Sequence, residues 1–292
     1  MLDKTTPIKA LLICVCFLFN LKATAQQLDW FTEGDVGSKN GVSNAWGTAT
    51  DTSENSYVIG SIGTTNQPAQ FGSYSNTVTN AGIGYLSSYN DTGGIRWINW
   101  VGASNCIVYM QDIVYKNGYI YAMAMYAGDS AKLDTITLPA IDKSKASSFS
   151  NPITGIVIAK YTESGKLVKH FTGKANVRIN SAGLRKFKLN IDHAEDGVLL
   201  SNAGAFLKLL SDSAFYSPGS NINPFYLSKI SFSGDSIVWN KKLETKFGYS
   251  YLTDPVIQID DSNNIHIMGN FNREIIYDQD TLNAKKMNTD AS

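Results

Sequence analysis

Apolar residues in this chain come in short runs rather than at helical spacing. Runs rich in Val, Ile, Tyr and Trp alternate with clusters of Gly, Asn, Asp and Ser, a pattern typical of strands joined by tight turns. Residues 156–159 are apolar at every position, as expected for a strand in a sheet that is covered on both faces. The pattern therefore predicts an all-β fold.

Four segments of the chain align with one another, and each reads as a strand end, a polar turn and an apolar strand. They cover residues 50–61, 114–124, 191–202 and 259–270. Each of the first three is followed by a predicted hairpin with a Gly-containing turn. These hairpins cover residues 83–100, 156–171 and 225–240. One repeat thus contains four strands.

The four segments also set the period of the repeat. Taking Gly60, Ala124, Asn202 and Gly269 as equivalent positions gives spacings of 64, 78 and 67 residues. Self-similarity at this period, with four antiparallel strands in each unit, predicts a β-propeller-like array of four-stranded blades. Blades stack face to face because a four-stranded sheet has two apolar faces and cannot cover both alone.

The repeats divide the chain into a leader and one domain. Residues 1–25 are predicted to be a signal peptide, and residues 26–292 a propeller-like repeat domain. The repeats are expected at approximately 37–103, 104–175, 176–246 and, in part, 247–292. Propellers close with about four to eight blades. We therefore expect an incomplete array of three blades and part of a fourth, and a natural chain that continues past Ser292.

Residues 28–36 are predicted to form a closing-type strand. Their "LDWF" is similar to the strands that contain Trp97 and Trp239. If one terminus completes a blade built mostly from the other, Trp30 lies in a sheet with the last repeat. The alternative is a chance Trp at the start of a loop.

The repeat resembles the SBBP repeat, a seven-bladed β-propeller repeat of exported bacterial surface proteins. The resemblance rests on three elements: Asp51, Ser53, Asn55, Tyr57, Val58 and Gly60; Ala159, Lys160, Tyr161, Ser164, Gly165, Lys166 and Leu167; and Trp30, Trp97 and Trp239. The third repeat departs from the pattern with Lys229 and Ile230, and the second has Lys169 or His170 where Trp is expected. The resemblance implies a propeller and no shared catalytic residues.

The leader has the features of an export signal. Lys4 and Lys9 precede an apolar run at 10–21, and the small residues at 23–25 favour cleavage after Ala25. The run is shorter than the roughly 20 apolar residues of a membrane span. Lipid anchoring through Cys14 or Cys16 is a weaker alternative. We expect an extracellular or outer-membrane surface location and no membrane span.

The net charge of the chain bears on its possible partners. The leader holds three of the 25 basic and one of the 25 acidic residues, so the rest carries 22 against 24, a net charge of −2. Nucleic acid needs a concentrated basic face, so we expect no nucleic acid partner.

Cys106 is the one Cys of the three beyond residue 25, which excludes an intramolecular disulfide in the mature chain. It is read as a small buried strand residue, with a reactive thiol as the alternative.

Candidate chemistry is sparse. His170, His193 and His266 lie in different repeats without a second ligand at metal spacing, so they are read as strand or turn residues. A carbohydrate hydrolase needs two acids that face one cleft. The residues available for such a pair are Asp112, Asp192, Glu195 and Asp196. Nothing in the sequence pairs them.

Two further patterns have both a functional and a structural interpretation. Residues 51–55 and 260–264 place side-chain oxygens at alternate positions, as calcium loops do, but tight turns favour the same residues. Asp-Ser/Thr-apolar triplets resemble an O-glycosylation motif and also suit turns; they begin at Asp129, Asp134, Asp212, Asp235 and Asp280. We assign no catalytic, cofactor-binding or metal-binding residue, and no cofactor.

These observations favour an exported, non-catalytic propeller scaffold or binding module for protein or glycan contact at the cell surface. One alternative is a propeller-based carbohydrate hydrolase or lyase, which would need acidic, Tyr or His side chains that converge at the axial mouth. Another alternative is that the chain is the N-terminal fragment of a larger surface protein whose function lies elsewhere.

Overall fold

The fold is all-β in the part of the chain that the computed structural model describes. The described residues are 43–62, 69–76, 82–129, 131–148, 153–179, 187–201, 207–209, 225–243, 252–271, 274–277 and 280–283. The predicted leader at 1–25 and the predicted closing strand with Trp30 lie outside these ranges. No described helix is both long and apolar enough to cross a membrane.

The strands are short and most of them follow one another as antiparallel hairpins. The first ten are β1 Ser43–Thr50, β2 Ser56–Ile62, β3 Ala69–Phe71, β4 Tyr74–Asn76, β5 Ile83–Tyr89, β6 Ile95–Val101, β7 Ile107–Lys116, β8 Tyr119–Ala127, β9 Lys132–Leu133 and β10 Ile136–Thr137. A single helical turn follows, α1 Lys143–Ser147.

The rest of the described chain continues in the same style. Its strands are β11 Thr154–Thr162, β12 Leu167–Ala175, β13 Phe187–Ile191, β14 Gly197–Ser201, β15 Leu207–Leu209, β16 Phe225–Ser231, β17 Ser236–Leu243, β18 Leu252–Ile259, β19 Ile265–Phe271, β20 Glu274–Tyr277 and β21 Asp280–Asn283.

Three sheets share one four-stranded antiparallel order. The shared four-stranded units are β1-β2-β5-β6, β7-β8-β11-β12 and β13-β14-β16-β17, within sheets of six, five and four strands; these units are called sheets 1, 2 and 3 below. The pair β18-β19 has the arrangement of the first two strands of such a sheet and is called pair 4. The predicted fold class, an all-β propeller-like array of four-stranded antiparallel units, is therefore confirmed.

The strand-pairing register shows that the repeat seen in the sequence is also a repeat in the structure. The hairpins β5-β6, β11-β12 and β16-β17 each have a register shift at the same place, at Ser88/Tyr89, Lys160/Tyr161 and Lys229/Ile230. Lys160 pairs with Lys169, as Ser88 pairs with Trp97. Lys169 thus occupies the Trp position that the sequence left open between residues 169 and 170.

The same register corrects one of the predicted equivalences. Tyr57 pairs with Ser88, and Val198 pairs with Lys229 at the corresponding position of sheet 3. Counting from these two residues makes Ser201 the counterpart of Gly60. The position taken from the sequence, Asn202, is therefore wrong by one residue.

Each of the first three repeats also contains an inserted segment between its second and third strands, which the sequence did not predict. These insertions are β3-β4, β9-β10 and β15, and the hairpin β20-β21 follows β19 of pair 4. β9 pairs with β6 through Val101 and Leu133, and β15 pairs with β12. Two of the insertions therefore extend the outer edge of the preceding sheet, which protects an edge strand from pairing with other chains.

The main core lies where the first three sheets pack face to face. Tyr57 and Ile59 of β2, Ile113 of β7 and Phe232, beside β16, are buried in one continuous cluster. Smaller clusters lie between sheet 3 and pair 4 and on the far face of sheet 1. Cys106, just before β7, is buried as predicted, with 2% of its surface exposed.

Candidate functional site

The acidic turns are built on hydrogen bonds within the turn. Asp51 Oδ1 accepts from the backbone N–H of Ser53 and Asn55 at 2.8 and 2.9 Å. Its Oδ2 accepts from the Asn55 side chain and, at 2.7 Å, from the Tyr57 hydroxyl. Burial opposes ionisation, but these hydrogen bonds outweigh it and hold the pKa of Asp51 below its ordinary value. The carboxylate therefore stabilises its own turn.

The turn of pair 4 repeats this arrangement. Asp260 Oδ1 accepts from the backbone of Ser262 and Asn264 at 2.9 and 2.8 Å. Hydrogen bonds from the Asn264 side chain and from His266 hold the pKa of Asp260 far below its ordinary value. Turn chemistry thus accounts for both segments that resemble calcium loops. Within the described residues, no group of three or more His, Cys, Asp and Glu side chains is placed to hold a metal ion.

Two of the three histidines come together at this turn. His193 Nε2 lies 3.1 Å from the Asp260 carbonyl oxygen, and His266 Nε2 lies 3.1 Å from Asp260 Oδ2. The backbone N–H of His193 also donates to Asn263 Oδ1. His170 lies in β12, opposite Ala159 of β11. His193 and His266 therefore link the turns of sheet 3 and pair 4.

The four acids considered for catalysis are engaged in structural contacts. Asp192 lies 2.5 Å and Asp196 lies 3.5 Å from Lys229 Nζ, so these two acids share one cation. Asp112 Oδ2 accepts from the Leu189 backbone at 3.0 Å, which joins β7 to β13. The contacts with Lys229 lie within sheet 3, and the contact of Asp112 links sheet 2 to sheet 3.

Glu195 forms an ion pair between sheets 2 and 3. Its carboxylate contacts Lys160 Nζ, and that ammonium lies 3.8 Å from the ring centroid of Tyr119 and 5.4 Å from that of Tyr121. The hydrogen bond from Lys160 lowers the pKa of Glu195. A lowered pKa makes the Glu195 carboxyl group a weaker proton donor.

Equivalent side chains link successive sheets at their outer hairpins. Trp97 Nε1 of sheet 1 donates to the Glu163 carbonyl at 3.0 Å. Lys169 Nζ of sheet 2 donates to the Ser233 carbonyl at 3.2 Å. A donor at this position thus binds the next hairpin turn in both cases, although Lys has replaced Trp in sheet 2.

An open groove lies at the junction of sheets 1 and 2. It has a volume of about 510 Å³ and is lined by Arg96, Asn117, Gly118, Tyr119, Thr162, Glu163 and Ser164. Arg96 comes from β6, and the others come from the β7-β8 turn, the start of β8, the end of β11 and the β11-β12 turn. Apart from Gly118, every lining residue has a side chain with a charged, hydroxyl or amide group, and Tyr119 adds an aromatic ring.

Residues outside the groove lining hold its two charged side chains, Arg96 and Glu163, in place. Arg96 Nη1 donates to Ser88 Oγ at 3.2 Å and lies 3.5 Å from the Tyr57 hydroxyl. The Tyr115 hydroxyl donates to Glu163 Oε1. The rings of Tyr57 and Tyr115 are stacked, with centroids 6.0 Å apart and planes within 8°. Both charges are thus positioned before any ligand arrives.

Tyr115 and Glu163 form the contact that most resembles a catalytic pair. The hydrogen bond to Glu163, together with burial, raises the pKa of Tyr115 to about 12. The phenol therefore stays protonated near neutral pH and is a poor nucleophile. Sequence reasoning missed this pair because the two residues are 48 positions apart and belong to different hairpins.

The residues of the O-glycosylation-like triplets are scattered. Asp134 and Asp235 adopt positive φ angles of 55° and 46°, which suits turn positions. Asp129 follows β8, Asp280 begins β21, and Asp212 lies outside the described residues. Modification of these triplets stays a prediction.

Comparisons with known proteins add no assignment. No model of a known protein family matches the chain, and a comparison with curated proteins yields no match. The resemblance to the SBBP repeat therefore stays a prediction that rests on the residues given above.

Proposed function

We propose that the chain is an exported, non-catalytic propeller scaffold that binds protein or glycan at the cell surface. The observation that carries this proposal is the groove between sheets 1 and 2, where preorganised polar side chains surround an open volume of about 510 Å³. That volume lies within the range of about 300–1,000 Å³ typical of small-ligand sites. The export signal predicted at residues 1–25 supports the surface location.

The state of the candidate acids favours binding over hydrolysis. Glycoside hydrolysis needs one carboxyl group whose pKa is raised so that it can protonate the leaving group. The pKa of Glu195 is lowered by Lys160, and Asp192 and Asp196 both contact Lys229. A carboxyl group with a lowered pKa, such as that of Glu195, is a weaker proton donor, and Asp192 and Asp196 are already engaged by Lys229.

The SBBP resemblance also enters as a proposal. It is supported by the strand order common to sheets 1, 2 and 3 and by the register shift that recurs at one position in each. A scaffold of stacked blades presents its turns on the surface, where binding residues are often found.

A turnover assay tests the non-catalytic assignment. The purified chain is incubated with a panel of neutral and anionic polysaccharides, and new reducing ends and unsaturated products are measured. We expect no turnover, together with saturable retention on one of the immobilised glycans or surface proteins. Turnover that persists through purification and is lost in Tyr115→Phe or Glu195→Gln would establish the hydrolase or lyase alternative. Turnover that both variants retain at full rate would point to a contaminating enzyme.

A further inference from the structure

The groove contains a charged residue, Arg96, at a position where the other two repeats have valine. Position 96 in β6 corresponds to Val168 in β12 and Val238 in β17, by the register that equates Trp97 with Lys169 and Trp239. The two valines are about half exposed, at 50% and 52%, so a small apolar side chain is sufficient there for folding. The fold of the repeat therefore does not require the charged side chain of Arg96 at the junction of sheets 1 and 2.

Arg96 has donors left for a ligand. Both of its hydrogen bonds with described residues use Nη1, whereas a guanidinium has five N–H donors in a rigid fork. Since Arg96 lines the groove, we expect Nη2 and Nε to be the donors available to a ligand. The contacts with Ser88 and Tyr57 fix the fork, which reduces the entropy lost when a ligand binds.

Glu163 balances this positive charge. It lines the same groove, and its carboxylate accepts from the Tyr115 hydroxyl through Oε1. Arg96 would attract an anionic ligand and Glu163 would repel it, whereas a cationic ligand would be repelled by Arg96 and attracted by Glu163. Charge balance therefore favours an uncharged ligand that carries both donors and acceptors.

The remaining lining residues suit hydroxyl groups. Asn117, Thr162 and Ser164 supply amide and hydroxyl groups at the rim, and these can donate as well as accept. Tyr119 adds an aromatic surface, which is held by Lys160 Nζ at 3.8 Å from its ring centroid. An aromatic ring among positioned polar groups fits a sugar, which has apolar C–H patches between its hydroxyl groups.

A peptide fits this groove less well. Peptides commonly bind by adding to a strand edge, by laying an apolar helix face into a groove or by docking a proline-rich segment on several aromatics. The groove is lined mainly by two hairpin turns, and Tyr119 is its one aromatic lining residue among the described side chains. We propose that the groove is a subsite for a neutral oligosaccharide, with Arg96 and Glu163 as its specificity-determining residues. This proposal rests on the binding function proposed above.

Binding to a glycan panel provides the test. The probes are neutral oligosaccharides of glucose, galactose, mannose and N-acetylglucosamine, beside uronate-containing and sulfated oligosaccharides and a library of unstructured peptides. We expect saturable binding of a neutral probe by the full chain. Glu163→Gln and Arg96→Gln should each weaken this binding about tenfold or more, because each removes a charge-assisted hydrogen bond.

A matched control is available in sheet 1. Asp91 occupies the turn position in the β5-β6 hairpin that Glu163 occupies in the β11-β12 hairpin, and it does not line the groove. Asp91→Asn makes the same acid-to-amide change and should leave binding unchanged. Glu163→Gln keeps an acceptor for Tyr115, so its thermal unfolding should match that of the unmodified chain.

Several outcomes would overturn the oligosaccharide subsite. Neutral glycan binding that Glu163→Gln and Arg96→Gln leave intact places the site elsewhere and spares the proposed binding function. Preference for anionic glycans or peptides, or no binding to any probe, also overturns it. Cleavage of a probe contradicts the non-catalytic function itself, and product analysis separates that failure from the others.

Discussion

His266 stands in the same relation to Asp260 as Tyr57 does to Asp51. In each case the residue six positions after the aspartate contacts its Oδ2, at 3.1 Å for His266 and 2.7 Å for Tyr57. The aspartates accept backbone N–H groups at the same two positions of the turn. The two turns thus share an aspartate acceptor and differ in the donor, which is Tyr57 in one and His266 in the other. This relation leads to the first two predictions.

Removing the Tyr57 hydroxyl should destabilise the fold. Tyr57 has no exposed surface, and its hydroxyl donates to the buried Asp51. Tyr57→Phe leaves Asp51 with one donor fewer, and we expect a loss of about 1–3 kcal/mol in the free energy of unfolding, measured by urea titration. The control is Tyr126→Phe, since the Tyr126 hydroxyl is also buried and has no hydrogen-bond partner. Tyr126→Phe should be neutral or stabilising, and equal losses in the two variants would refute the role given to Asp51.

Stability should fall when the solution is acidified below pH about 4. The pKa values of Asp51, Glu195 and Asp260 are lower in the folded protein than their ordinary values. A depressed carboxyl pKa contributes stability that is complete above the unfolded pKa, about 4. That stability is lost as pH falls through the folded pKa. Urea midpoints measured from pH 7 down to pH 2.5 should therefore decrease, and less steeply in Asp51→Asn. Parallel curves for the two proteins would contradict this assignment.

Two glycines with similar backbone angles should differ in their tolerance of alanine. Gly118 and Gly165 have φ angles of 79° and 81°, but a Cβ at Gly118 meets nothing within 4 Å, whereas one at Gly165 lies 2.7 Å from the Trp97 ring. Gly118→Ala should cost roughly 1–2 kcal/mol through backbone strain alone. Gly165→Ala should cost about 1–3 kcal/mol more, because Trp97 must move. Thermal unfolding of the two variants provides the comparison, and equal losses would show that Trp97 yields freely.

The ion pair between sheets 2 and 3 should show energetic coupling. Lys160 and Glu195 have side chains that are 12% and 36% exposed, so solvent screens the pair only in part. A double-mutant cycle with Lys160→Met and Glu195→Gln should give a coupling of about 1 kcal/mol in the free energy of unfolding. The cycle contains its own controls in the two single variants, and strict additivity would mean that the contact adds no stability.

The local features of this fold could be predicted from the sequence. Alternation of apolar runs with Gly, Asn and Asp clusters located the hairpins, because strand pleat and turn geometry depend on residues a few positions apart. The turn at 51–55 illustrates this, since its Asp and Asn satisfy the backbone within five residues. The internal repeat then led to four-stranded sheets, since each unit must cover two apolar faces.

The packing of the sheets brings together residues that are distant in the sequence. The groove joins Arg96 of one repeat to Glu163 of the next, and Trp97 contacts a carbonyl 66 positions away. The insertions β9-β10 and β15 were not predicted, because their pairing depends on the edge of the preceding sheet. Such contacts arise from the stacking of whole sheets, so no short pattern in the sequence encodes them. The strands and turns therefore follow from local chemistry, whereas the candidate site exists only once two sheets pack together.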